Sequence, residues 1–189
     1  MKLQTLSRFL VTICILSITT DVHAQINLGS PTSRTPYDGY FGPVWPVLRQ
    51  MNGTADMPTA AQLVREGRGF RYSFNKAQPF TPQTPAETEA TRSGDCKAKS
   101  LWVAAKLNDR SVRYVVGKAK AVSNMNHAWL IWKGPEGWMI LDATLYSSPL
   151  SADRIRPTEF IPLYSYGAGA KYSHRVAAAA PGARNGDHL

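Results

Sequence analysis

The feature that most limits how this chain can fold is its shortage of sulfur. There are two cysteines in 189 residues, and Cys14 falls inside an N-terminal stretch with the marks of an export signal. Lys2 and Arg8 give that stretch a positive start, residues 9–18 are apolar, and Val22-His23-Ala24 supplies a small-x-small ending before Gln25. The apolar run is shorter than the roughly 20 residues that a bilayer crossing needs. Residues 1–24 are expected to be a cleaved signal peptide. The chain is then periplasmic or secreted, with no integral span left after cleavage. An exported chain that keeps only Cys96 has no internal disulfide available to it. It has to hold its fold by burying a core, and at this length a single domain can do so.

Composition agrees with a packed core. Hydrophobic residues make up 43% and charged residues 19%, with five Trp, eight Tyr and six Phe, which excludes a disordered or fibrous chain. The net charge of +9 favours anionic neighbours such as envelope polymers and lipid headgroups. The basic residues are scattered without a run of four, and no nucleic-acid-binding module is present, so nucleic acid is not an expected partner.

Residues 25–57 are rich in Gly, Pro, Ser, Thr and Asn, with aromatics interspersed, and read as an irregular lead-in. Residues 58–67 (PTAAQLVREG) read as a short helix with Pro58 in its first turn, and Gly67 and Gly69 end it. Residues 70–74 alternate apolar and polar, as a short strand does. Pro85–Ala90 suits one or two helical turns. Residues 96–109 place Ala98, Leu101, Trp102, Ala105 and Leu107 at helical spacing, with Ser93 or Asp95 as cap, so Cys96 belongs to the first turn of a buried helix. Strand-like runs follow at 112–116, 127–132 and 138–142. Residues 160–166 read as a last strand, which Pro162 assigns to an edge. The tail, 167–189, is expected to fray. Helices first and antiparallel strands after give an α+β layout, with the Cys96 helix packed on a small sheet and a functional domain over 58–166.

The chemistry converges on three residues. A thiolate is a far better nucleophile than a thiol, and a helix N-terminus favours the thiolate. Gly94 lets the chain turn tightly before Cys96, and the Cys96 N–H can face an incoming carbonyl oxygen. A cysteine nucleophile also needs an imidazole to share its proton. Beyond the signal the chain has His127, His174 and His188. His188 ends a loose tail, His174 follows a Gly-rich stretch, and His127 opens a strand. Asp142 closes the next strand. A four-residue loop over 133–136 would set His127 directly opposite Asp142, with Cβ atoms about 4.5–5.5 Å apart. A five-residue loop without a bulge would put them on opposite faces.

Gly94-Asp95-Cys96-Lys97-Ala98-Lys99-Ser100, Asn126-His127-Ala128-Trp129 and Trp138-x-x-Leu141-Asp142-Ala143-Thr144 together resemble the bacterial transglutaminase-like superfamily. Its pattern is a G-x-C helix start, a strand beginning H-x-W, and a strand ending L-D-x-T. The resemblance covers roughly residues 58–146. It implies a papain-like α+β fold and thiol acyl transfer, with Cys96 as nucleophile, His127 as general acid/base and Asp142 orienting the imidazole. It also implies an upstream aromatic or amide side chain in the oxyanion hole, for which Tyr72 and Gln78 are candidates. The expected activity is a cysteine peptidase or amidase, or a transferase, acting on a protein or peptide, peptidoglycan-related peptides included. No cofactor is expected, and one Cys with three His lacks metal-ligand spacing. The competing expectation is a non-catalytic envelope module that grips a polymer through its basic surface and through Trp45, Tyr164 and Tyr166.

Overall fold

The computed structural model describes residues 27–174. The expected signal peptide, His188 and most of the expected tail lie outside the described residues. In chain order the elements are β1 (Ser30–Thr32), α1 (Val44–Gln50), α2 (Met57–Gly69), β2 (Arg71–Tyr72), α3 (Pro85–Thr91), β3 (Ser93–Gly94), α4 (Cys96–Leu107), β4 (Arg113–Lys120), β5 (His127–Gly134), β6 (Gly137–Leu141), β7 (Leu150–Ser151), β8 (Glu159–Tyr166) and β9 (Lys171–Ser173). Seven strands form one antiparallel sheet in the order β1-β9-β8-β4-β5-β6-β7, and β2 and β3 form a separate parallel pair. The α+β expectation holds, with a larger sheet than the sequence suggested. Part of the lead-in is a helix, α1. The lead-in also supplies β1, which pairs with β9 from within the segment expected to fray.

Local signals explain where the helices begin. Asp56 caps α2 by accepting the Thr59 N–H at 2.9 Å. Thr84 and Glu87 form a capping box at the start of α3, where Pro85 takes a first-turn position. Asp95 caps α4 by accepting the N–H groups of Lys97 and Ala98 at 2.9 and 3.1 Å. Asn108 ends that helix in the left-handed region, at φ 48°.

The helices cover one face of the sheet. Leu101, Trp102, Ala104 and Leu107 of α4 share a buried cluster with Tyr114, Leu130, Trp132 and Leu141 of the strands. On the other face Val115, Trp129, Ile131, Ile140 and Phe160 form a second cluster. Ala128 to Trp132 are all buried. That explains why β5 reads as an unbroken apolar run without alternation. Each large apolar side chain so buried contributes about 1.5–3 kcal/mol before entropy is counted.

Two expectations are corrected. Residues 160–166 are an interior strand, between β9 and β4, not an edge. Pro162 is tolerated there because the β4–β8 ladder shifts register between Val116 and Gly117: Val116 faces Tyr164 while Gly117 faces Pro162. A bulge removes the need for an N–H at that point. Gly117 is required at the same place, since a Cβ there would sit 2.2 Å from the Ile161 carbonyl oxygen. The second correction concerns the aromatics assigned to polymer gripping. Tyr166 is fully buried against Phe41, and Trp45 and Tyr164 pack on the core as half-buried side chains.

Candidate active site

Cys96 is the first residue of α4, with 8% of its surface exposed. Asp95, itself buried, uses Oδ1 to cap the amides of Lys97 and Ala98. Its Oδ2 accepts the Lys97 ammonium at 2.5 Å. The Cys96 N–H is left without a partner among the described residues. Gly94 turns the chain where a Cβ would come within 2.7 Å of Ala98 Cβ.

His127 opens β5, and its side chain is 12% exposed. Its Nε2 lies 2.8 Å from Asp142 Oδ2. The Cys96 side chain also lies close enough to the ring to act on its pKa. Burial alone would depress the imidazole pKa. The hydrogen bonds and charges of Asp142 and Cys96 overcome that and raise it to about 10. Asp142 is fully buried, and its second oxygen accepts the Thr144 and Leu145 N–H groups at 2.8 and 3.1 Å. The loop after β6 thus fixes the carboxylate, and the carboxylate fixes the ring.

The sequence-expected trio is brought together, but by a different register. The β5–β6 turn has two residues, Pro135 and Glu136, closed by the Gly134–Gly137 pair, with Gly137 at φ 114°. Leu130 faces Leu141, so the pairing is shifted by two residues from the one expected. Because strand side chains alternate with period 2, a shift of two keeps His127 and Asp142 on one side. Asp142 now reaches His127 along the diagonal, not directly across.

Several side chains that position the trio were not identified from sequence. Ser100 donates to the Ala128 carbonyl at 3.1 Å, and Tyr114 donates to the Lys97 carbonyl at 3.2 Å. Both bonds tie α4 to strands β5 and β4. Trp129 stacks on the His127 ring with centroids 6.1 Å apart, and the Asn126 amide donates to the Tyr37 hydroxyl at 3.1 Å. Lys99 is fully buried, and its ammonium donates to the Phe70 carbonyl at 2.6 Å. Burial and the Arg68 charge lower its pKa, against an opposing pull from Asp142. A Lys one turn into an amphipathic helix gives no sign in the sequence that it will be interior.

Of the two candidates for the oxyanion hole, Tyr72 pairs with Gly94, two residues before Cys96. Burial raises its phenol pKa, with further contributions from the Cys96 and Asp95 charges. Gln78 is exposed on a turn organised by Asn75. His174 is elsewhere, buried with its Nε2 2.8 Å from Ser165 Oγ, and burial lowers its pKa to about 4.

No protein-family model matches the sequence, and no curated protein does. The fold is shared with solved structures of LapG from Legionella pneumophila. One superimposes with TM-score 0.52 at 18% identity, covering 74% of this chain and 81% of that chain. An EGTA-treated form gives 0.53 at 18%, over 77% and 82%. A calcium-bound form gives 0.50 at 21%, over 61% and 67%. At these identities the likeness establishes a LapG-like fold.

Proposed function

We propose that this chain is an exported cysteine acyl-transfer enzyme, a peptidase or amidase related to the transglutaminase-like superfamily, acting on a protein or peptide. One observation carries the reading: a single imidazole is hydrogen-bonded to a buried carboxylate, and its pKa is raised by that carboxylate together with the only thiol of the described residues. Thiol, imidazole and carboxylate in this chain are the parts of a nucleophile, a proton carrier and its orienter.

The raised pKa favours the imidazolium form of His127 at neutral pH. The Cys96 thiolate attacks the amide carbonyl, and the Cys96 N–H with the Tyr72 hydroxyl donates to the oxygen as it gains charge. His127 passes its proton to the nitrogen as the C–N bond breaks, and the amine leaves. Water then adds to the thioester with His127 taking its proton. Collapse breaks the C–S bond, releasing the carboxylic acid and the Cys96 thiolate while the proton stays on His127, which restores the pair. An amine in place of water gives transfer.

Calcium is present in one LapG structure. Among the described residues no group of three or more His, Cys, Asp or Glu is placed to hold a metal ion. The buried carboxylate beside the nucleophile is already matched by Lys97 and two amides. No step is routed through a metal.

The alternative, a non-catalytic envelope binding module, has one feature in its favour. A cleft of about 420 Å³ lies at the start of β4, lined by Arg110, Arg113, Trp138 and Tyr172. Iodoacetamide separates the readings. The wild-type protein is expected to be carbamidomethylated at Cys96 near pH 7 much faster than a free cysteine. His127→Ala should lose that excess, and Cys96→Ala should take up no label. Labelling of the wild-type protein at or below the free-cysteine rate sinks the enzymatic reading.

A further inference from the structure

The cleft of about 420 Å³ at the start of β4 is a site of its own. It is lined by Arg110, Arg113, Trp138, Tyr172 and the β8–β9 turn over 167–170. Its strand residues project from the sheet face opposite α4. Alternation puts Arg113 with Val115 and Trp138 with Ile140, and Tyr172 pairs with Ser165, which pairs with Val115. The trio is at the other end of the sheet. Arg113 faces Ile131 while Gly117 faces His127, so four residues of β4, roughly 13 Å, separate the cleft from the imidazole.

Positive charge is fixed at this cleft and left unanswered. Arg113 is half-buried, its Nη1 donates to the Leu28 carbonyl at 2.7 Å, and its guanidinium lies on the Tyr172 ring, 3.8 Å from the centroid. Those two contacts hold the side chain in one orientation, and a guanidinium has five N–H donors to present. Arg110 is exposed beside it. Lys133, also exposed, pairs with Trp138 in the β5–β6 ladder and adds a third cation on that side. None of the three belongs to an ion pair among the described residues. Asp109, next to Arg110, is already engaged by the amides of Ala55 and Ser111 and by the Trp132 indole. A half-buried cation without a counter-ion costs desolvation free energy that an incoming anion would offset.

We infer that this cleft binds an acidic sugar, a unit of a uronic acid chain, with its carboxylate on the Arg113 fork, Arg110 at its flank and its ring against Trp138. The planar guanidinium matches a carboxylate in a bidentate pair, which an ammonium cannot do. The C–H groups of a pyranose ring pack on the negative face of an indole, and Trp138 offers one such wall. A nucleotide base calls for a second flat wall, and Tyr172 is already covered by Arg113. The volume falls within the range of about 300–1,000 Å³ that small-ligand sites occupy. Ala168 and Gly169 at the turn are exposed, and a Cβ at Gly169 would meet nothing, so a longer chain can leave the cleft there. This site is independent of the chemistry at Cys96. It would hold the protein on an anionic polymer while the far end of the sheet stays free.

Titration calorimetry at low salt tests this with digalacturonate and its dimethyl ester, which keeps both rings and removes both charges. The acid is expected to bind with a Kd of about 1 mM or tighter. The ester should bind about 10-fold more weakly, the scale of one charge-assisted hydrogen bond. Arg113→Lys, which keeps the charge and loses the fork, should cost about 10-fold. Because Arg113 also holds the Leu28 carbonyl, Arg110→Gln, at an exposed side chain, is the companion variant and should cost a few-fold, roughly. Adenosine monophosphate should bind more weakly than digalacturonate, and saturating digalacturonate should leave iodoacetamide labelling of Cys96 unchanged. No binding of the acid, equal affinity for acid and ester, affinity unaltered in both arginine variants, tighter binding of the nucleotide, or slowed Cys96 labelling overturns the inference. The binding comparison needs no reactive thiol, so an inert Cys96 would remove the enzymatic reading and leave this site standing.

Discussion

Replacing Asp142 by Asn removes a charge and exchanges one oxygen for an N–H₂, while the shape is kept. Oδ1 of the Asn can still accept the Thr144 and Leu145 amides, so the loop after β6 remains anchored. What changes is the partner of His127 Nε2. An amide N–H₂ facing that nitrogen requires it to be an acceptor, which disfavours the imidazolium. Raising the imidazole from 6.5 to about 10 is worth about 5 kcal/mol in all. Asp142 is the largest cause of the rise, and losing one hydrogen bond to a charged group is worth about 2–3 kcal/mol. That would cut the thiolate–imidazolium population about 100-fold. Labelling falls less, because an ordinary thiol still ionises by a few per cent at pH 7. The expected loss of iodoacetamide rate at pH 7 is 10- to 30-fold, roughly. The difference should close above pH 9, where any thiol ionises. Turnover, which also needs the imidazolium proton, should fall further. The melting temperature should drop by only about 2–4 °C, equivalent to about 1 kcal/mol for a domain of this size. An unchanged labelling rate at pH 7 together with a large fall in melting temperature would show that Asp142 is only a structural residue and that the argument is wrong.

Three other outcomes are expected. His174 is buried with its pKa lowered to about 4, so between pH 6.5 and 4 the unfolded chain binds the extra proton and stability falls as pH falls. Denaturant titrations should show His174→Gln losing of order 2 kcal/mol less than wild type across that window, and identical slopes would refute the burial argument. A Cβ at Gly67 would come within 2.9 Å of Ala143 Cβ, next to Asp142, whereas Gly69 faces open space. Gly67→Ala should therefore slow Cys96 labelling several-fold and destabilise by about 1–3 kcal/mol despite its better helix propensity, while Gly69→Ala leaves labelling unchanged. Excess EGTA should alter neither the melting temperature nor the labelling rate, since Lys97 already neutralises Asp95; a fall in either on chelation would reveal a required cation.

Much of the site is legible in the chain because its signals are local. A Gly-x-Cys turn running into an apolar helix depends on residues a few positions apart, as do the Asp95 cap and the Thr84–Glu87 box. The elements carrying His127 and Asp142 were also visible, as apolar runs broken by a Gly-Pro turn. The turn is two residues shorter than the four-residue loop that the sequence suggests, yet His127 and Asp142 still share a side, since only the parity of the register decides the face. Pro162 misled because its cost depends on the strand opposite. The bulge at Gly117 that relieves it lies 45 positions away in sequence.

Sequence alone determined that an α4-like helix begins at Cys96 and that strands follow it. These are matters of local propensity. Tertiary structure alone decided that Lys99 lies inside and that Ser100 and Tyr114 clamp the helix to the sheet. Those depend on which backbone groups remain unpaired once distant segments have packed, and no window along the chain contains that information.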